Sequence, residues 1–330
     1  MTTATPLVSI VCTTYNHENY IRQALDGFIM QQCSFPIEVI VHDDASTDNT
    51  AAIIREYAQK YPDIIKPILQ TENQYSKGYN IWEYLFTQVA KGKYIAICEG
   101  DDYWIHPLKL KIQVDFLEKN SDYGLIWTDV NFYMQTTGVL KEAVFKHDRL
   151  PIFDSFEETL INTPFFSPLT WVFRRNISPK GLKSYCDTTF PMILEILNIS
   201  KIKYLNIVTG TYRWLDESAS RSKDLFKTYS FINGIYEIQK DYSKKCNCNN
   251  LIVDKMNYKY YLTAYPYAII FNDENVIRNG EYYLKKHKNN NCKVKILLLF
   301  SKFGIGKTFL SFTYNHYWFK KMLSIIVNRN

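Results

Sequence analysis

A chain of 330 residues with 46% hydrophobic side chains holds enough apolar material for a large core and more than one structural unit. Its seven cysteines are odd in number and scattered, which argues against a disulfide framework and for buried free thiols in a reducing compartment. The net charge of +6 gathers at one end: from Arg278 onward eleven Lys or Arg stand against Glu281 alone, and the longest apolar stretch there, Ile296 to Phe300, is far too short for a bilayer span of roughly 20 residues.

Val8 to Cys12 is a β-branched run ending at the polar Thr13-Thr14-Tyr15-Asn16, and reads as a first strand. Ile21, Leu25 and Phe28 then recur at helical spacing. Ile37 to Val41 is a second buried strand, ended by His42 to Asp48, and Ile54, Tyr57, Ala58 and Tyr61 mark a second helix. Ile64 to Leu69, interrupted by Pro67, is a weaker strand suited to an edge. Gln70 to Asn80 is polar and loop-like, and Ile81 to Val89 has helical spacing. The apolar run Tyr94 to Cys98 stops abruptly at Glu99-Gly100-Asp101-Asp102. Three carboxylates within four residues repel one another, and burying them unpaired costs several kcal/mol, roughly as for any isolated charge. A cation, a Lys or Arg from elsewhere, or water must answer them. Hard oxygen ligands suit magnesium or manganese better than zinc, and magnesium on one or two carboxylates usually completes its shell with phosphate oxygens.

Pro107 opens a helix carrying Leu110, Val114 and Leu117, and Gly124 to Asp129 is a further strand. Residues 130 to 180 are mixed and loop-rich. Tyr185 to Pro191 precedes a helical run from Met192 to Leu197, which puts Asp187 near a helix start, and Lys203 to Tyr212 reads as a strand. From Asp224 the pattern turns helical and aromatic, with a soft boundary near residue 222. Strands alternating with helices imply an α/β fold with a mostly parallel sheet, whose ligands bind beyond the carboxyl ends of its strands. The turns Thr13 to Asn16, His42 to Asp48 and Glu99 to Asp102 all lie at such ends. No Gly-x-Gly-x-x-Gly follows the first strand, which counts against an NAD enzyme, and Gly304-Ile305-Gly306-Lys307-Thr308 imitates a phosphate loop without its leading glycine.

Val8 to Asn16, Val41 to Asp48 and Glu99 to Asp102, in this order and spacing, resemble the nucleotide-sugar-binding half of the family 2 glycosyltransferases, which have the Rossmann-like GT-A fold. The resemblance covers residues 7 to about 120 well and extends loosely to about 222, where Thr211 to Leu215 and Ser218 to Ser220 look like the family's closing segment. It implies a GT-A domain over 1–222, with a nucleotide-sugar half at 7–120 and an acceptor half at 121–222, followed by a helical, basic and aromatic region over 223–330. It also implies transfer of a sugar from a nucleotide diphosphate, UDP by preference, with inversion and with Mn2+ or Mg2+ as cofactor. Thr13, Tyr15 and Asp44 match positions that hold base and ribose. Glu99 and Asp101 match the ends of the family's D-x-D motif, which touch ribose and metal, and Asp102 is a neighbouring metal candidate. Asp187 matches the carboxylate that deprotonates the acceptor hydroxyl. Some relatives carry a metal-binding His where this chain has Leu215, leaving Asp216 or Glu217 as substitutes.

Plainer roles compete with these. Asp43, Asp44, Ser46, Asp48 and Asp187 all suit helix caps, Thr13 and Asn16 suit a turn, Tyr15 suits core packing, and Lys77 suits the surface rather than phosphate. His17, His42 and His106 lack metal-ligand spacing and read as structural or solvated. The expected partners are a nucleotide-sugar donor and a glycan or lipid-linked acceptor of surface polysaccharide synthesis, with the basic tail suited to an anionic membrane surface and no nucleic acid. No leader follows Met1, so a cytoplasmic protein able to meet the inner face of the membrane is expected. A sugar nucleotidyltransferase and a non-catalytic nucleotide-sugar binding module are the alternatives. The former needs a basic triphosphate loop near the first strand, which Thr13 to His17 does not offer.

Overall fold

The computed structural model describes residues 5–147, 150–215, 224–287 and 298. The chain divides into two compact units, one of Met1–Thr159 with Pro164–Asp216, the other of Leu160–Thr163 with Glu217–Asn330.

The first unit is built on one sheet of nine strands in the order β3-β2-β1-β4-β8-β6-β9-β5, with β7 paired to β6. Its first part follows the alternation in the sequence: β1 (Val8–Thr14), α1 (Ile21–Ile29), β2 (Ile37–Asp43), α2 (Thr50–Lys60), β3 (Ile65–Leu69), α3 (Ile81–Tyr84) and β4 (Tyr94–Ile97). These four strands are parallel, with Ile10 set between Val39 and Ala96, and β1 and β4 are buried on both faces as near-continuous apolar runs require. Pro67 lies in β3 at the sheet edge, where its missing N–H is tolerated. Ile21, Ala24, Leu25 and Phe28 of α1 and Ile53, Ile54 and Tyr57 of α2 form the buried stripes. The expected helix over 81–89 departs from its pattern after one turn: Leu85–Val89 winds as a π-helix, which swings Leu85 and Phe86 into the core.

The second part is mixed. It runs β5 (Tyr103–Trp104), α4 (Lys109–Lys119), β6 (Tyr123–Met134), β7 (Val139–Lys141), α5 (Val144–His147), α6 (Phe156–Asn162), β8 (Val172–Arg174), α7 (Thr189–Ile199) and β9 (Lys201–Trp214). β8 is antiparallel to β4 and β6, β7 is antiparallel to β6, and β6 runs parallel to β9 through three register shifts. The expected strand at 124–129 is thus the first half of a twelve-residue strand, and the 130–180 stretch expected to be loop-rich supplies the rest of it with β7, α5, α6 and β8. β5 follows β4 by only a short turn in the chain, yet it pairs with β9 at the far end of the strand order. That turn is folded, since Asp102 N–H donates to Glu99 O at 3.1 Å. Four strand spacings of about 4.8 Å cannot be bridged by a folded turn of five residues unless the sheet curls. The curl sets the acidic turn in the mouth of the sheet.

The second unit carries α8 (Leu225–Lys245), α9 (Asn250–Phe271) and α10 (Glu274–Lys286), capped by Asp224, Asn249 and Asp273, whose side chains accept from first-turn N–H groups. Its core is aromatic: Tyr236 and Tyr260 stack at 3.6 Å between ring centroids, and Tyr229 stacks on Tyr267. Among the described residues no helix is long and apolar enough to cross a membrane.

Candidate active site

Three turns at the carboxyl edge of the parallel strands are tied together by hydrogen bonds. Gly100 N–H donates to Thr13 O (2.9 Å), Asp44 N–H to Thr14 O (3.0 Å) and Asn16 N–H to Ser46 Oγ (2.8 Å). Asn16 Oδ1 accepts from Thr47 N–H at 2.8 Å, so the first and second turns latch reciprocally. Asn16 (φ 55°) and Ala45 (φ 64°) hold left-handed backbone, a strain that persists only where the surroundings enforce it. Gly100 must be glycine for close approach: a Cβ there would stand 2.6 Å from Thr14 Oγ1 and 3.0 Å from Ile21 Cδ1.

Glu99, Asp101 and Asp102 each offer an oxygen, and the three atoms lie within 4.8 Å of one another. Glu99 and Asp101 are half-buried and Asp102 is buried, beneath the buried Cys98 and Trp104. Burial first, then the charge of Asp101, pushes the Glu99 carboxyl up to about 8, and the same two causes raise Asp102 well above the carboxylate range. Without a counter-charge the cluster resists ionisation, and a cation set among these oxygens would favour the ionised form.

Arg213, which sequence reasoning noted only as part of a closing segment, answers the turn from β9. Its backbone N–H donates to Asp102 Oδ1 (2.7 Å) and its Nε–H to the carbonyl of Asp101 (2.7 Å), while the two remaining nitrogens donate to Gln135 and Gln23. The guanidinium lies 4.7 Å from the Tyr20 ring centroid and 5.3 Å from that of Tyr103. With one Asp102 oxygen engaged by β9, Glu99, Asp101 and the second Asp102 oxygen are the groups left to hold a metal. A basic residue inside an aromatic strand, Tyr212-Arg213-Trp214, was the available signal.

Asp44 does not cap α2, the helix that follows it. Its carboxylate accepts from Gln74 N–H (2.7 Å) and Tyr75 N–H (3.1 Å), so it carries the 73–75 loop as a wall of the site; at the start of α2 the N-cap position is Asn49, and Asp48 just before it accepts from Thr50 N–H at 2.9 Å. Thr13 is half-buried and its carbonyl fixes the acidic turn, as noted above. Tyr15 is 45% exposed, which corrects the core-packing alternative, since a core ring would be closed to solvent. Asp187 accepts from Phe190 N–H (2.6 Å) at the start of α7, and it also lies close enough to Glu99 for their charges to interact. Burial raises its carboxyl above the usual range, toward the basicity a proton acceptor needs. Lys77 pairs with Glu72 on the surface. His42 is buried against Gln70, and His17 is half-buried with its Nδ1 closed to solvent and unpartnered, within the influence of Asp101 and Asp48. Asp216, Glu217 and the segment Ser218 to Ser220 lie outside the described residues, as does the sequence from Gly304 to Thr308.

The sequence profile described as Glycosyl transferase family 2 matches residues 9–182, which contain the three turns. The chain belongs to that family. An uncharacterized protein of Mycobacterium tuberculosis is 50% identical to this chain over 115 residues, 35% of this chain and 32% of the relative, so the match spans about a third of that relative's length. A UDP-Glc:α-D-GlcNAc-diphosphoundecaprenol β-1,3-glucosyltransferase of Escherichia coli is 28% identical over 218 residues, 60% of this chain and 82% of the relative. Among solved structures, S. aureus TarS 1–349 in complex with UDP-GlcNAc superposes with a TM-score of 0.56 at 19% identity, over 84% of this chain and 80% of that TarS 1–349 chain. A mannosyltransferase of Pyrobaculum calidifontis in complex with GDP-Man and Mn2+ superposes with a TM-score of 0.55 at 16% identity, over 98% and 85% of the two chains. At such identities these structures establish the GT-A fold alone.

Proposed function

We propose that this family 2 glycosyltransferase is a metal-dependent, inverting hexosyltransferase that moves a sugar from a UDP-sugar to a hydroxyl of a glycan or lipid-linked acceptor in surface polysaccharide synthesis. The observation that carries the reading is the gathering of Glu99, Asp101 and Asp102 at the carboxyl edge, beside the Asp44 wall and within charge range of Asp187. The donor half over 7–120 would bind base and ribose through Thr13, the exposed ring of Tyr15, Asp44 and Glu99. Asp101, with the outer oxygen of Asp102, would hold Mn2+ or Mg2+; three crowded carboxylates of raised basicity are a fitting donor set for a hard dication. When bound, the ion supplies Lewis-acid stabilisation of charge on the leaving diphosphate. The chain's own residues do the rest. Arg213 holds the acidic turn in place through the Asp101 carbonyl, so its carboxylates need not reorganise. Asp187 takes the proton of the acceptor hydroxyl, a general-base contribution of roughly 10²–10⁴-fold. Attack from the face opposite the leaving group gives inversion in one displacement.

The E. coli relative is named for a UDP-glucose donor and a polyprenyl diphosphate-linked acceptor, and TarS was solved with UDP-GlcNAc, which together support a UDP-sugar. The basic region from Arg278 onward would meet an anionic membrane surface where a lipid-linked acceptor is held. A thermal-shift panel of UDP-, GDP- and dTDP-sugars with and without manganese tests the donor. A UDP-sugar that stabilises the protein only with metal is the expected result; equal stabilisation by all three, or by none, would reject it. The anomeric configuration of the product by NMR tests inversion.

A further inference from the structure

The opposite edge of the sheet carries a second feature that the donor reading does not use. Leu7, Pro36 and Lys93 immediately precede β1, β2 and β4, so they mark the amino edge of the parallel strands, and they line a cleft of about 870 Å³. Five cationic side chains line it, Lys91, Lys93, Arg174, Arg175 and Lys180, and no carboxylate does. Two of the five are committed to the protein: Lys93 pairs with Glu118, and Arg174 donates to backbone carbonyls of Leu117, Asn120 and Tyr123. The other three are not. Arg175 uses only Nε, on Gly92 O at 2.8 Å, and neither Lys91 Nζ nor Lys180 Nζ meets a hydrogen-bond acceptor among the described residues.

The backbone beneath these cations is held stiffly. Ser9 Oγ donates to the buried Glu38 carboxylate (2.5 Å), which also accepts from Lys91 N–H (2.8 Å), and Gly92 N–H donates to Ser9 Oγ (2.8 Å). Gly92 permits this packing, since a Cβ there would lie 2.5 Å from Ser9 N. A second, independent mark is the π-helical turn Leu85–Val89, whose Phe86 and Thr87 line the same cleft; such turns are rare and frequent at functional sites. Like charges converging on one cleft over a fixed backbone repel unless an anion joins them, and phosphate oxygens match both ammonium and guanidinium donors.

We infer that this cleft is an anion site for a phosphate- or diphosphate-bearing ligand, separate from the donor site and bound by Lys91, Arg175 and Lys180. The ligand is either a free phosphorylated metabolite or the headgroup of an anionic lipid. Isothermal titration of the full chain with inorganic pyrophosphate, in EDTA so that the acidic turn holds no metal, reads the site directly. The expected result is saturable one-to-one binding that weakens about ten- to a hundredfold in Lys91→Ala/Lys180→Ala, as loss of charge-assisted contacts implies. Lys60→Ala/Lys119→Ala, exposed residues at the ends of α2 and α4, should bind as the parent does. Sedimentation with phosphatidylglycerol vesicles separates the sources: loss of vesicle binding in the first double variant but not in the second assigns the headgroup, and unchanged vesicle binding with weakened pyrophosphate binding assigns the free ligand. Absence of pyrophosphate binding, or binding insensitive to Lys91 and Lys180 but abolished by Asp101→Asn, overturns the inference. The manganese-dependent thermal shift by UDP-sugar is expected to survive in Lys91→Ala/Lys180→Ala, so the two readings fail separately.

Discussion

At the scale of single residues, the acidic turn and its bracket define what can be tested first. Asp101→Asn removes a carboxylate from the cation site while leaving the Arg213 bond to its carbonyl, so it should abolish metal-dependent donor stabilisation in thermal-shift assays without lowering the metal-free melting temperature. Glu99 carries the sign of a raised carboxyl. Its folded form keeps its proton up to about pH 8 whereas the unfolded chain releases it near the ordinary value, so the fold loses stability as pH rises between the two. Glu99→Gln should therefore raise metal-free stability at pH 8 relative to pH 5, measured by urea unfolding at both. Arg213→Lys keeps the charge but not the planar fork that reaches Asp101, Gln135 and Gln23 together. It should weaken donor and manganese binding by about tenfold or more. The carboxylates could be chosen from sequence because three acids ending an apolar run are locally visible; the role of Arg213 could not, because the acidic-turn residues it joins are more than a hundred positions away.

At the scale of elements, the packing of the acidic turn against β1 and of α4 beneath it decides how rigid the site is. Gly100→Ala would drive a methyl into Thr14 and Ile21, and overpacking of that kind costs about 1–3 kcal/mol. The turn should shift off β1, with loss of donor binding exceeding the loss of stability. In α4, Lys109 is fully buried, donating to Gln113 Oε1 at 2.7 Å and lying 4.5 Å from the Trp104 ring, and burial lowers its amine to about 7. The unfolded chain holds that proton up to the ordinary lysine range, so between about pH 7 and the ordinary value the unfolded state binds more protons and stability rises with pH. The slope approaches one proton, about 1.4 kcal/mol per pH unit, and Lys109→Met should remove it from the pH profile of denaturant unfolding. The periodicity of α1, α2 and α4 was legible because each buries one stripe. The winding of 85–89 was not, since its apolar spacing fits an ordinary helix and only the docking of Leu85 and Phe86 selects the wider turn.

At the scale of the whole molecule, the residues proposed to bind the donor lie in the first unit and the tyrosine-rich helices in the second. Tyr236 stacks on Tyr260 and donates to Asn257 at 2.7 Å, so Tyr236→Ala should cost about 2–4 kcal/mol of stability. Calorimetry should show that loss while donor affinity stays unchanged, because Tyr236 and the proposed donor residues belong to different compact units. The sequence by itself determined the alternation of β1, α1, β2 and α2 and the three polar turns at strand ends, since buried parallel strands read as continuous apolar runs and parallel connection leaves every such turn at one edge. Only the tertiary structure decided that Asp44 supports the distant segment at Gln74 and Tyr75 rather than α2, that β5 crosses to β9, and that three cations meet at the amino edge. Those outcomes depend on long-range pairing and sheet curl, whose energies arise from contacts between segments and leave no periodic mark on any one of them.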